Sequence, residues 1–345
     1  MRKTVTRFTA LVLALITAFF ALCACSLSGG GTSGGGGRKS PEIYDYFNTV
    51  ATLYSFAGDT EAEFEGHLEA FEEELKTCHE IFDIYNEYDG INNAMTVNKN
   101  AGIVPVKVDK RLIDLLVFAK EMHQKTDGAV NVAMGAVLEI WHSYRKNKTG
   151  VPSQEELNAA AQFCDIDAVI INEEESTVYL AVAEMSLDLG AIAKGYAIDL
   201  AANVLRQRGA DAYAIDVGGN LYAIGTKKDG TAFKTGIENP DGGDYPAYLD
   251  VSDGAVATSG DYQFGRSYTY NGVKYHHIIN HKTLFPVYLH RSVSVYSDSA
   301  ALSDALSTAL FNLSREDGEA LVRSFFPTVR EVIYIGEYGV SNFKN

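Results

Sequence analysis

Three groups of residues have types and spacings that could do chemistry. The first lies in LDLGAIAKGYAID, Leu187 to Asp199. A helical face centred on Ala197 collects Leu200, Ala201, Val204 and Leu205 in one apolar stripe, and Gly209 ends it. Lys194 falls inside that stripe and in the first helical turn. A cation there meets the positive end of the helix dipole and points inward. A buried ammonium needs an anionic partner or sheds its proton. Two partners present themselves. One is Asp188, six residues upstream. The other is a phosphate at the helix N-terminus, which Gly190 would let the backbone approach closely. Spacing alone leaves an internal Lys–Asp pair and a phosphate site as equal readings, because the segment is neither GxxxxGK[ST] nor GxGxxG. DVGGN, Asp216 to Asn220, also lacks the dinucleotide fingerprint and reads as a turn between strands.

The second group is SDALSTALFNL. Leu302, Leu306, Ala309, Leu310 and Leu313 cluster on one side of a helix, and Asp304 and Thr308 share a face roughly opposite. A carboxylate and a hydroxyl one turn apart suit a hard cation such as Mg²⁺, which completes its shell with water and phosphate. Without a nearby phosphate site, the same pair is simply a solvated polar face. The third group is KYHHII within a longer Tyr- and His-rich stretch. His276 and His277 end a strand and so face opposite ways. His277 is a candidate proton acceptor. Zinc at His277 and His281 is disfavoured, since no cysteine or further ligand clusters with them.

Residues 46–57 read as a strand, and residues 60–82 as a helix with Phe64, Leu68, Phe71, Leu75, Cys78 and Phe82 on one face. A second helix is expected from Asp109 to Lys125, and a third from Ser153, where Ser153 and Glu156 form a capping-box pattern. Further on, AYAIDV, LYAIG, AYLDVS, GAVATS and RSVSVY read as strands, and Asn271-Gly272 as a hairpin turn. A last helix runs from about Ser299 to Leu313. Hairpins interleaved with helices predict an α+β fold of mixed, largely antiparallel sheets with packed helices, not a doubly wound parallel one.

The N-terminus reads as an address. Arg2, Lys3 and Arg7 precede an uncharged 17-residue run, Phe8 to Ala24, that ends in LCAC. This is the shape of a secretory leader, and it resembles a bacterial lipobox with Cys25 as the lipidated residue. The next 15 residues contain 11 Gly or Ser, which makes a tether on the order of 20 Å. The chain therefore divides into a leader (1–24), a lipidated Cys25 with its tether (25–40) and a domain (41–345). That arrangement predicts export and anchoring to the membrane. Loss of Arg2, Lys3 and Arg7 takes the net charge from −16 to −19. Such acidity argues against nucleic acid and against electrostatic adhesion to anionic lipid. Cys78 and Cys164 are free to pair or not.

Taken together, LDLGAIAKGYAID, DVGGNLYAIG, ATSGDYQF, KYHHII and SDALSTAL resemble the ApbE-type FAD:protein FMN transferase family, in the family's order and from about Ile43 to Gly336. FDIYNEYDGINN and TDGAVNVA are similar to family segments too. The resemblance implies Mg²⁺-dependent transfer of the FMN portion of FAD to a threonine hydroxyl of an exported redox protein, with release of AMP. It places Asp188 and Lys194 at FAD, with Phe47, Tyr85, Ala129, Val130, Asn131, His277 and Ile278 lining the cofactor. It places the Ala191 carbonyl, Asp304 and Thr308 at Mg²⁺, with Mn²⁺ as the alternative metal. His277 becomes the candidate catalytic histidine. Phe47 stands where the family usually has methionine, and Asn131 where aspartate is common. Asn280, His281 and Leu284 replace the family's Asp, Pro and Gly, which puts that turn's geometry in question. Two other functions use the same residues: a Mg²⁺-dependent FAD diphosphatase, and a surface lipoprotein that only binds FAD.

Overall fold

Strands buried on both faces form the centre of the protein. In Tyr213–Val217 all five residues are buried. Tyr213, Ile215 and Val217 join one apolar cluster, and Ala214 joins another on the opposite side. The strand period of two sends alternate residues to different cores. This is why AYAIDV reads as continuously apolar apart from Asp216. In the computed structural model, which describes residues 37–345 except 149, 264 and 338, this strand lies within an eight-stranded sheet. The spatial order is Arg38–Lys39, Ala51–Ser55, Tyr213–Val217, Asn220–Ile224, Gly254–Gly260, Ser292–Ser297, Glu331–Gly336 and Gly339–Lys344. Every neighbouring pair in it is antiparallel. The α+β expectation holds.

One face of the sheet carries the long helices Glu61–Phe82, Ala193–Gln207 and Ala300–Phe311 over the larger core. The other face is covered by the hairpin Phe233–Ile237 and Ala247–Val251. A third cluster, around Trp141, Met134, Leu157 and Leu284, joins the helices Gly135–Asn147 and Gln154–Ala161 to the hairpin Ser267–Tyr270 and Val273–His276. Asn271 and Gly272 turn that hairpin with φ of 48° and 80°, as their pairing predicts. Thr60 and Glu63 cap the first long helix reciprocally, and Asp109 caps Lys110–Lys125. Ser153 accepts from Glu156 N, but the Glu156 carboxylate receives Tyr144 Oη at 3.1 Å, so the expected box is half made.

Some expectations need correction. The strand expected over 46–57 is confined to Ala51–Ser55, because Phe47 and Asn48 are left-handed, with φ of 53° and 51°. The tether expected through residue 40 stops sooner, since Arg38 and Lys39 pair with Ser55 and Tyr54. An edge strand offers free N–H and C=O groups to any extended neighbour, whatever its side chains. Cys78 and Cys164 are both free thiols. The leader and Cys25 lie outside the described residues. Among the described residues, no helix is long and apolar enough to cross a membrane.

Asp216 interrupts the apolar run and is buried. Its Oδ1 accepts the N–H of Gly219 at 3.0 Å, which closes the Gly218-Gly219 turn. Burial raises its pKa to about 7, against a weaker opposing pull from that bond and from Lys39. The folded value lies above the unfolded one, so the folded state keeps a proton that the unfolded state releases between about pH 4 and pH 7. Stability therefore falls as pH rises through that window. Asp216→Asn keeps the acceptor and cannot ionise. Urea titrations from pH 4 to pH 8 should show the parent losing up to roughly 4 kcal/mol relative to this variant, at about 1.4 kcal/mol per pKa unit. Parallel curves for the two proteins would refute this assignment.

Candidate functional site

Lys194 sits in the first turn of the helix Ala193–Gln207, whose N-cap, Ile192, offers no side-chain oxygen. The missing cap comes from another helix. Asp304, on Ala300–Phe311, accepts Gly195 N at 2.9 Å through Oδ2, and Lys194 Nζ lies 3.1 Å from each of its oxygens. The pair is largely buried, with side-chain exposures of 17% and 7%. The ammonium at the unfavourable helix end is thus offset by a carboxylate at the same end, where negative charge is favoured. Gly195 N–H, which would otherwise point at the Ala191 carbonyl, is directed to Asp304 instead.

The favour is returned. Asp199 on the Lys194 helix accepts Ser299 Oγ at 2.6 Å, Ala300 N at 2.7 Å and Ala301 N at 2.9 Å, capping the Asp304 helix. Burial pushes the Asp199 pKa up, and these three bonds oppose the rise. The internal partner expected for Lys194, Asp188, is not the one used. Its Oδ1 accepts Gly190 N at 2.9 Å and shapes the loop before the helix.

The Asp304–Thr308 face is not a solvated one. Nearly the whole helix is buried, and its hydroxyls are satisfied by the sheet. Ser303 pairs with Ser297 and donates to the Ala255 carbonyl, while Ser259 bridges Ser307 at 2.8 Å and Thr308 at 3.1 Å. Asp304, Thr308 and Lys194 line a single cavity of about 430 Å³, within the usual size of a small-molecule site. The residues singled out in the sequence converge on it: Phe47, Tyr85, Ala129, Val130, Asn131, Asp188, Ala191, His277 and Ile278 all contribute to its wall. His276 points away, packed on Phe311 and Tyr288 and bonded to the Val287 carbonyl at 2.8 Å.

Local structure explains how each side chain is presented. The left-handed turn at Phe47 lays its ring edge-on to His79 at the cavity wall. Such a backbone is costly for a bulky residue, and strain of this kind clusters at functional sites. Asp83 receives Tyr85 N at 2.7 Å, Asn86 Nδ2 at 2.9 Å and Tyr88 Oη at 2.8 Å. These bonds hold the loop that leaves Tyr85 59% exposed. Burial alone would raise the Asp83 pKa, but its hydrogen bonds outweigh burial and lower it. Asn131 donates to the Cys164 carbonyl and accepts from Ala133 N, both at 2.9 Å. An aspartate could not make the first of these bonds. His277 is held as the neutral imidazole: burial, then Arg266, His276, Arg145 and Lys194, lower its pKa well below the usual value.

The turn after Ile279 is closed by its own side chain. Asn280 Oδ1 accepts Lys282 N at 2.9 Å and Thr283 N at 3.0 Å, as an aspartate would. Leu284 adopts φ 63°, a glycine-like conformation. Its side chain is buried in the Trp141 cluster, and its carbonyl accepts Trp141 Nε1 at 2.9 Å, which offsets the backbone strain.

The family model described as ApbE matches residues 47–333. The chain belongs to the ApbE family. Among curated ApbE relatives, the FAD:protein FMN transferase of Treponema pallidum is 38% identical over 245 residues, covering 66% of this chain and 67% of that one. The Vibrio cholerae FAD:protein FMN transferase is 29% identical over 277 residues, or 78% and 82% of the two chains. The crystal structure of the Thermotoga maritima ApbE protein superposes with a TM-score of 0.77 at 27% identity, covering 88% of this chain and 96% of that one. The Vibrio cholerae flavin transferase ApbE, at 23% identity and a TM-score of 0.73, shares the fold over 90% of this chain and 96% of its own.

Sequence reasoning missed the Asp199 cap and the contact at Gly195. A Cβ on Gly195 would lie 2.3 Å from the Ala300 carbonyl oxygen and 2.7 Å from Asp304 Cβ. Only glycine lets the two helices approach this closely. Alanine ordinarily stabilises a helix interior by about 1 kcal/mol over glycine. Here Gly195→Ala should instead destabilise the protein by a net ~1–3 kcal/mol, as overpacking does. At Gly190, where an added Cβ meets only Asp188 Oδ1 at 3.0 Å, alanine should cost less. Chemical denaturation of both variants checks the ranking.

Proposed function

We propose that this enzyme transfers the FMN moiety of FAD to a threonine hydroxyl of a partner protein and releases AMP. One observation carries the reading: the Lys194–Asp304 pair, Thr308, His277 and the exposed Tyr85 ring open onto one cavity. The family and the names of the relatives above support the choice of FAD. In this reading the flavin lies against Phe47 and Tyr85, with the Ala129–Asn131 segment and Ile278 along its length, and Asp188 and Lys194 stand beside the FAD.

The donor set fits a divalent metal. The Ala191 carbonyl, the Asp304 carboxylate and the Thr308 hydroxyl are hard oxygen ligands on the cavity wall, the chemistry that Mg²⁺ or Mn²⁺ takes. Gly195 directs its N–H to Asp304 and so does not compete for the Ala191 carbonyl. When bound there, the metal would offset charge on the diphosphate and on departing AMP.

The protein's own groups carry the rest. The threonine oxygen attacks the phosphorus of the FMN half, the bond from that phosphorus to the oxygen bridging to AMP breaks, and AMP leaves with the bridging oxygen. His277, neutral because of its burial and cationic neighbours, accepts the threonine proton. Lys194 stabilises the negative charge of the leaving group. The same proposal extends to the leader: lipid on Cys25 would hold the domain outside the cytoplasm beside exported redox acceptors.

Purified enzyme given FAD, Mg²⁺ and a threonine-bearing acceptor should release AMP and label the acceptor with FMN. AMP and free FMN without an acceptor would mark a diphosphatase, and tight FAD binding with no AMP a passive binder. Lys194→Ala and Asp304→Asn should each lower AMP release by about 10²-fold or more. A neutral His277 predicts that the acid limb of kcat/KM lies below pH 6.5 in the parent. Activity should be full above that limb and lost as pH falls through it. Labelled fatty acid should enter the full chain and fail to enter Cys25→Ala.

A further inference from the structure

Two cations in the cavity have no assigned work. Arg145, in the last turn of Gly135–Asn147, and Arg266, just before the strand Ser267–Tyr270, both line it. No ion pair or side-chain hydrogen bond to a described residue holds either guanidinium. They are close enough to oppose each other's charge: burial, then Arg266, makes the Arg145 cation harder to maintain, while Tyr85 and Asp188 favour it from a distance without an ion pair. Two partly desolvated guanidinium groups held together without an ion-paired carboxylate cost free energy, unless an anion enters between them.

The carboxylates in the same cavity are committed elsewhere. Asp304 is held by Lys194 and Gly195, Asp83 by its own loop, and Asp188 by Gly190. The Lys194–Asp304 pair is also electrically neutral as a unit, so it offers a dianionic ligand little net attraction. Arg145 and Arg266 are the cavity's remaining positive charge. Guanidinium is suited to phosphate because its planar fork can make two parallel bonds. Both arginines influence His277 electrostatically, which places their charge near the candidate proton acceptor.

We propose that Arg145 and Arg266 form a guanidinium clamp that holds the phosphates of FAD in the cavity, separately from the Lys194–Asp304 pair. This rests on the FAD reading above. The clamp orients the diphosphate toward His277 and keeps the phosphate of AMP in place while its bond to the FMN half breaks.

The test compares FAD with riboflavin, which shares the flavin ring and carries no phosphate. Calorimetric titrations would use the parent, Arg145→Gln and Arg266→Gln, in EDTA and again in Mg²⁺ without acceptor. Each variant should bind FAD about tenfold or more weakly, as loss of a charge-assisted bond implies, while riboflavin affinity is unchanged. The salt dependence of FAD binding should also become shallower. A parent that binds FAD beside variants that bind it equally well would overturn the clamp and leave the transferase reading standing. So would an equal loss of riboflavin, which marks a structural role, or a raised acceptor KM at unchanged FAD affinity, which marks a protein contact. A parent that binds no FAD under either condition would overturn the transferase reading itself, and the clamp with it.

Discussion

The site depends on two helices capping each other. The helix bearing Lys194 has no side-chain cap of its own, and Asp304 from the other helix accepts its first-turn N–H. The helix bearing Asp304 is reinforced at its start by Asp199 from the first. Neither helix end is fully satisfied alone, so the two are fixed in register by hydrogen bonds that each must take from the other. Gly195 makes the crossing close enough for this. One consequence is functional: the carboxylate that could hold a metal is already aimed before any ligand arrives. Preorganised charge of this sort avoids reorganisation at the moment of reaction.

Much of the architecture was legible because local signals agreed with tertiary ones. Thr60, Asp109 and Ser153 announced helix starts, and Asn271-Gly272 announced a hairpin. The inward aim of Lys194 followed from its place in an apolar stripe. Its partner did not, because Asp304 lies 110 residues away in the chain and spacing reports only local neighbours. Asp188 was the partner that spacing suggested, yet it is spent on Gly190. The burial of the Asp304–Thr308 face was equally hidden. A polar helix face next to water and one next to a serine-lined sheet look alike in sequence, and here Ser259 and Ser297 on the strands supply the partners.

The places where pattern reading failed lie close to the cavity. A run of β-formers at residues 46–57 promised one strand, but Phe47 and Asn48 turn left-handed and bring the Phe47 ring to the cavity wall. Leu284, on the turn that follows Ile279, takes a glycine conformation and recovers stability through burial beside Trp141. In both cases tertiary packing overrides local preference. Natural sequences tend to break their own local rules near working surfaces, and the rest of the structure must hold the strained residue in place.

The charge arrangement separates two tasks that a single lysine could not perform together. Lys194 lies near an anionic ligand's expected position, but its ammonium is tied to Asp304 at 3.1 Å. That pairing gives a buried cation its counter-charge and ties the two helices together at their crossing. It also means that binding a diphosphate draws on other sources of positive charge. A divalent ion on the Asp304 edge would be one, and the guanidinium groups of Arg145 and Arg266, which no described residue pairs with, would be another. Structural neutrality at the helix crossing and net positive charge elsewhere in the cavity are compatible because the groups responsible sit on different elements. Under the proposed clamp, the helix pair would stay rigid while the anion is held largely by Arg145 on Gly135–Asn147 and Arg266 before Ser267–Tyr270.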